Sequence, residues 1–183
     1  MQCERTPPAA SELLSCNLRY RNIHGSDNLA TAAAGLVNQL PQKLGLHPGD
    51  MAFIFWHHKT GLEALACLNE LSPGWQDQIT SVFASSKEMQ KRNKMAFWPG
   101  SGETKGSTIQ SFQGWEAPCV ILGIPELGDV DPDEVKSAYE RHYWNAVYTG
   151  LTRVMDTIRG SHLIVVNAEP RLEPFLEREF DPI

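Results

Sequence analysis

Ser107-Thr108-Ile109-Gln110-Ser111-Phe112-Gln113-Gly114-Trp115-Glu116 runs into the apolar segment Cys119-Val120-Ile121-Leu122-Gly123-Ile124. Ile109 and Phe112 stand among the polar residues Thr108, Gln110, Ser111 and Gln113, a spacing that does not sustain a helix, and Gly114 punctuates it ahead of a strand of the buried type. The expectation is a short strand, a polar loop and a second strand. Such a loop sets hydroxyls, amides, a glycine backbone and one carboxylate at the rim of a sheet, where open α/β sheets bind their ligands.

Elements on either side of this stretch alternate. Leu13 to Tyr20 reads as a short strand. From Asn28, apolar Leu29, Ala33, Leu36, Val37, Leu40 and Leu44 recur at helical spacing until Pro48-Gly49-Asp50 makes a turn. Met51 to Trp56 is an apolar run of strand length. Thr60 and Glu63 have capping-box spacing, with Leu62, Leu65, Ala66 and Leu71 as the buried stripe of a helix that Ser72-Pro73-Gly74 stops. Ile79 to Ala84 is a further strand, and Ser85 with Glu88 repeats the capping-box spacing. Asp131-Pro132-Asp133-Glu134 opens a helix with Val135, Ala138, Tyr139, His142 and Ala146 on one face. That helix delivers Thr149 to Arg153 near its far end. Arg159-Gly160 turns the chain into a strand over His162 to Val166, and Pro174 to Phe180 is a terminal helix. Helices alternating with strands indicate a parallel α/β sheet.

The 183 residues, 42% hydrophobic and 21% charged, fit one globular domain over 1–183, with 1–12 a loose lead-in around Pro7-Pro8-Ala9-Ala10. No run has the roughly 18 apolar residues that span a membrane. Met1-Gln2-Cys3-Glu4-Arg5 lacks a signal peptide's apolar region, so cytoplasmic residence is the expectation. The net charge of -6 argues against gripping nucleic acid by bulk electrostatics. Its distribution is uneven: residues 126 to 183 hold 12 acidic and 6 basic side chains, while Lys87, Lys91, Arg92 and Lys94 cluster. That cluster is either a solvated helix face or a flank that meets phosphate. Cys3, Cys16, Cys67 and Cys119 share no disulfide or metal spacing and read as reduced, buried thiols; His57-His58 fits no zinc template.

Pro99-Gly100-Ser101-Gly102-Glu103-Thr104-Lys105-Gly106-Ser107 invites a phosphate-loop reading. That loop needs Gly-Lys-Ser/Thr opening a helix, so that lysine and hydroxyl reach phosphate and magnesium. Here the order is Lys105-Gly106-Ser107 and a strand follows, so the reading fails. No apolar strand ends in the Asp-Glu pair of a Walker B element either.

The stretch around Gly114 resembles motif V of superfamily 1 DNA helicases of the UvrD/Rep type, read as Thr-Ile-His-x-x-Lys-Gly-Leu-Glu before a strand. Leu18-Arg19-Tyr20-Arg21-Asn22 resembles motif IV, and Val147-Tyr148-Thr149-Gly150-Leu151-Thr152-Arg153 resembles motif VI; the order IV, V, VI covers residues 18 to 153. The resemblance implies a RecA-like parallel sheet with helices on both faces, and the second motor domain (2A) of an ATP-dependent helicase that lacks its own P-loop. Its partners would be single-stranded DNA and a Walker A/B domain in the same or another chain, with ATP and Mg2+ bound between the two and the metal held by that other domain. By the same resemblance Arg153 and Arg21 would reach the γ-phosphate, Gly114 and Glu116 would lie near ribose and phosphates, and Thr108, Gln110 and Ser111 would face DNA. Tyr20 would stack on adenine, or else be a core aromatic. Guanidinium suits the γ-phosphate because its planar fork binds oxygens bidentately and keeps its charge.

Departures from the family pattern are Gln110 for histidine, Gln113 for lysine, Trp115 for leucine and Arg19 where asparagine is common. The plainer reading of Arg153 pairs it with Asp156 or Glu140. The alternative reading of the whole chain is a non-catalytic nucleotide-sensing or single-strand-binding module that acts through a partner.

Overall fold

The computed structural model describes residues 16–24, 28–96, 102–127, 135–157 and 160–183. Among them seven strands, β1 (Cys16–Asn22), β2 (Met51–Phe55), β3 (Ile79–Ser81), β4 (Thr104–Thr108), β5 (Cys119–Ile124), β6 (Ser161–Asn167) and β7 (Asp181–Pro182), form one sheet in the order β3-β4-β2-β5-β6-β1-β7. Every pairing is parallel. Parallel strands covered on both faces need continuous apolar side chains. Accordingly every residue of β2 and β5 is buried. This is the expected α/β fold, a RecA-like sheet with helices on both faces.

Among the described residues five α-helices cover it: α1 (Leu29–Leu44), α2 (His58–Leu71), α3 (Lys87–Ala96), α4 (Val135–Leu151) and α5 (Glu173–Glu179). Asn28 caps α1, its side chain accepting from the amides of Ala30 and Thr31, and Gly45 ends it in the left-handed conformation. The helices α1 and α2 pack together on one face. On that face Phe53, Phe55 and Phe83 form a ring cluster with centroids 5.9–6.1 Å apart. The alternate residues Ile54 and Leu122 point to the other face, where Leu122 lies against Gly150 of α4.

Several local expectations shift. The helix α2 begins at His58, two residues before Thr60, and His57 flanks it without a side-chain cap, so the Thr60–Glu63 box does not form. Its buried stripe is therefore Gly61, Ala64 and Leu68; Leu62 and Leu65 are half-buried, Ala66 is exposed and Leu71 is 53% exposed. The side chain that caps α3 is Ser86, not Ser85, its hydroxyl accepting from the amide of Met89 at 3.2 Å. In α4 the sheet takes the stripe Tyr143, Ala146, Val147 and Gly150, leaving Tyr139 and His142 exposed, because aromatic residues occur around this helix and the glycine permits close approach. Of the thiols described, Cys16 is exposed and Cys67 half-buried; only Cys119 is buried, which pushes its thiol up to about 12. The first strand extends to Asn22, past Tyr20, whereas the third stops at Ser81, although Val82, Phe83 and Ala84 stay buried. The helix start at Asp131-Pro132-Asp133-Glu134, Arg159 and the lead-in 1–12 lie outside the described residues.

A β-carbon built on Gly61 would lie 2.3–2.5 Å from three ring atoms of Phe83. Gly61→Ala should therefore destabilise by roughly 1–3 kcal/mol through overpacking, against alanine's better helix propensity. Urea unfolding checks this, and Phe83→Leu on the same background should restore part of the loss.

Candidate functional site

The stretch 104–118 links two edges of the sheet. Thr104 to Thr108 is a buried strand, not a phosphate loop. Lys105, only 3% exposed, donates to the carbonyl of Glu103, and burial lowers its pKa. A lysine committed to a strand interior cannot swing onto phosphate. Because β4 and β5 are both parallel to β2, residues 109–118 must carry the chain from the carboxyl edge of the sheet back to its amino edge.

At the carboxyl edge the amide of Ile109 donates to Phe55 O (2.9 Å) and that of Phe112 to Thr108 O (2.9 Å), which locks the turn to β2 and β4. The Thr108 hydroxyl donates to Ser111 Oγ (2.9 Å) and accepts from the Ser111 amide (3.2 Å). Gln110 is exposed, with its amide nitrogen 3.1 Å from His142 Nε2 on α4. Of the three residues expected to face DNA, Thr108 and Ser111 thus bond to each other, and Gln110 between them reaches α4 instead. Gly114 has φ +88, a conformation that L side chains rarely adopt, and no atom would meet a β-carbon there. It turns the loop toward the other edge.

At the amino edge Glu116 is exposed and immediately precedes Ala117, whose amide donates to Arg153 O (3.1 Å) and whose carbonyl accepts from Met155 N (2.8 Å). The two segments that resemble motifs V and VI therefore meet there through backbone. The Arg153 side chain folds along its own helix end, Nε donating to Thr149 O and Nη2 to Thr152 Oγ1, both at 3.0 Å. Among the described residues it forms no ion pair with Asp156 or Glu140. Glu140 instead meets Arg171 at 3.3 Å.

Arg21 is not part of that group. It is the next-to-last residue of β1, exposed, and lines a cavity of about 370 Å³ under α1 together with Arg19, Thr31, Gly35 and Lys43. The register Arg21↔Val166, against Cys119↔His162 two residues beyond Ala117, sets it roughly 20 Å from the Ala117–Arg153 contact along the strands. The two arginines expected at one phosphate are not brought together within this domain. Tyr20 points to the opposite face from Arg21, half-buried against the core, while its carbonyl accepts from Ile183 N (3.0 Å). Its surroundings are those of the core aromatic.

Sequence reading missed two groups. One is Trp56, which leaves β2 at the carboxyl edge with ring centroids 5.2 Å from His142 and 5.4 Å from Tyr143. Its position directly after an apolar strand was the available signal. The other is Glu169, 2% exposed, which accepts from Arg171 Nε (2.7 Å), Arg171 N (3.1 Å) and Leu127 N (2.8 Å). Arg171 also lies over the Trp144 ring at 5.3 Å.

Among the described residues no group of three or more His, Cys, Asp or Glu is placed to hold a metal, and no helix is long and apolar enough to cross a membrane. Comparison with protein-family models and with curated proteins finds no match to this chain.

Burial works to raise the Glu169 carboxyl, but the Arg171 side chain and the Leu127 and Arg171 amides outweigh it and hold the group below the usual carboxylate range. With the folded pKa depressed, the contribution is present above the unfolded value of about 4.3 and is lost as pH falls through the folded value. Glu169→Gln should cost about 1–3 kcal/mol at neutral pH and flatten the fall of stability on acidification. Urea unfolding of both proteins across the acid range reads this difference.

Proposed function

We propose that this chain is the C-terminal RecA-like motor domain (2A) of an ATP-dependent superfamily 1 DNA helicase or translocase. In this reading it completes an ATP site whose phosphate cradle and magnesium ligands belong to a Walker A/B domain, and its carboxyl edge contacts single-stranded DNA. The observation that carries the reading is the division of labour within one loop: Thr108, Gln110 and Ser111 lie at one edge, while at the other Ala117, next to Glu116, pairs with the Arg153 backbone. A translocase needs that separation, because nucleotide and strand must be felt by one rigid body at two places. Among the described residues no carboxylate cluster accompanies Arg153, and Lys105 is committed to the Glu103 carbonyl, so the residues present do not fit Mg2+. The nucleotide reading therefore rests on the Arg153 cation and on backbone.

Arg153 is the group assigned to charge developing on the γ-phosphate. Its donors are held at a helix end without a carboxylate among the described residues, so the guanidinium is oriented but not neutralised. Arg21, displaced along the strands, is not needed for this assignment. Short hydroxyl and amide side chains at the carboxyl edge suit contacts to a strand backbone that position without reading sequence.

The chain alone should fold and show no DNA-stimulated ATP hydrolysis; robust turnover by it alone would sink the assignment. Joined to its Walker A/B domain, Arg153→Ala should lower ATP turnover about a thousandfold or more, as loss of an arginine finger does, with the melting temperature nearly unchanged. Arg153→Lys should rescue little, since ammonium keeps the charge but loses the fork. Normal turnover with lowered stability in Arg153→Ala would make this side chain a helix-end brace and refute its role at phosphate.

A further inference from the structure

The helix α1 packs on β5 and β6 more than on β1, its own strand, and between α1 and β1 lies the cavity of about 370 Å³ that holds Arg21. Its charge is unlike that of the whole chain. Against a net charge of -6, the described residues that line it include Arg19, Arg21 and Lys43 and no carboxylate. Asp181 stands opposite Arg19 in the β1–β7 register, yet among the described residues neither Arg19 nor Arg21 forms an ion pair with it or with any other acid. Arg171 and Arg178, by contrast, each hold a glutamate.

The cavity is a groove, not a cup. Its lining follows α1 from Asn28 to Leu44, roughly 24 Å at the helical rise. Leu36, Leu40 and Leu44 give it an apolar side. Gly35 stands near the middle, where a β-carbon would meet no atom within 4 Å, so no packing contact accounts for a residue that weakens a helix interior. At Gly61 and Gly150 such a contact exists; at Gly35 the missing side chain keeps the groove open. Arg19 and Arg21 are alternate residues of one strand, so their side chains leave it on one face, roughly 7 Å apart. Alternate side chains of any extended chain share that spacing, and the residues between them turn to the opposite side. An extended segment with acids at alternate positions and apolar residues between can thus give its carboxylates to the two guanidiniums and its apolar side to the leucines of α1. A lone phosphate would use neither the spacing nor the apolar side.

We propose that the groove between α1 and β1 docks an extended segment of a partner protein, roughly seven residues long, in which carboxylates alternate with apolar side chains. Guanidinium and carboxylate pair bidentately, which fixes the register of the segment on Arg19 and Arg21. The acidic remainder of the chain repels such a segment, so its charge steers it to this face. The docking site goes beyond the motor reading and does not rest on it: it asks nothing of Arg153 or of the loop 109–118.

The test measures, by fluorescence anisotropy, binding of this chain to a fluorescein-labelled peptide of about seven residues in which glutamate alternates with leucine, and to the same peptide with glutamine for glutamate. The acidic peptide should bind about tenfold tighter or more, as a charge-assisted pair allows, and the difference should shrink as salt rises. Arg19→Gln combined with Arg21→Gln should remove the preference. Gly35→Leu should abolish binding with the melting temperature unchanged or raised, since leucine enters open space and is the better helix former. Lys91→Gln combined with Arg92→Gln, on the other basic element, should change nothing. Equal or absent binding of the two peptides, a preference that survives both groove variants, or one lost in the α3 variant overturns the docking site. Displacement of the acidic peptide by ATP or by an oligothymidylate at lower concentration than by the unlabelled peptide also overturns it and makes the groove a phosphate site. Arg153 and its turnover test are untouched by any of these results.

Discussion

The parallel pairing of β2 with β5 is the constraint on which the rest depends. Parallel neighbours cannot be joined by a hairpin, so each strand must be left by a crossover. The crossovers after β2 and β5 depart to opposite faces, with α2 against Phe83 and α4 against Leu122. Where they part, Trp56, Tyr143 and His142 come together at the carboxyl edge. Close approach by both helices is possible because each presents a glycine to the sheet: a β-carbon on Gly61 would strike Phe83, and one on Gly150 would lie 2.7 Å from Leu122. Site geometry and core packing are thus set by the same contacts.

The second consequence of parallel pairing is the loop 109–118. It is a described crossover without a helix, with Ile109, Phe112 and Ala117 buried and Gln110, Gln113, Gly114 and Glu116 exposed along it. Its ends are fastened by backbone, to Phe55 and Thr108 at one edge and to Arg153 and Met155 at the other. The segment is thus short and fastened at both ends. In the proposed reading, coupling between strand and nucleotide runs through this doubly anchored segment.

Three strands were legible because their buried side chains are largely apolar: Met51 to Trp56 read one residue too long, and Cys119 to Ile124 and the 162–166 run lie within the observed strands, whereas β4 is just as buried but polar and gave no such signal. Helix faces were less legible. In α4, Tyr139, Tyr143, Trp144 and Tyr148 surround the axis, so periodicity offered several stripes, and the choice was made by Gly150 against Leu122, a contact between elements. Capping boxes misled for a related reason, since Thr60–Glu63 and Ser85–Glu88 have the right spacing while the helices start where the preceding strands release the chain. The cluster Thr108, Gln110 and Ser111 was visible as loop chemistry. The contact of Trp56 with His142 and Tyr143 was not, because these residues belong to segments that only the sheet order makes neighbours.

The contrast between Arg153 and Arg171 shows why charge must be read in three dimensions. Both stand in the acidic part of the chain, where a surface ion pair is the ordinary fate of an arginine. Arg171 meets that fate fully: it binds buried Glu169, reaches Glu140 and covers Trp144. By taking Glu140 it removes a carboxylate that sequence spacing offered to Arg153. The latter is left with a carbonyl and a hydroxyl, neutral acceptors that fix the direction of the fork without cancelling its charge. An exposed ion pair is worth little and is readily given up, typically less than about 1 kcal/mol. Among the described residues Arg153 has two hydrogen bonds to neutral acceptors to exchange, and no carboxylate to leave, before it meets phosphate. In the proposed reading, that is what suits it to a site completed by another domain.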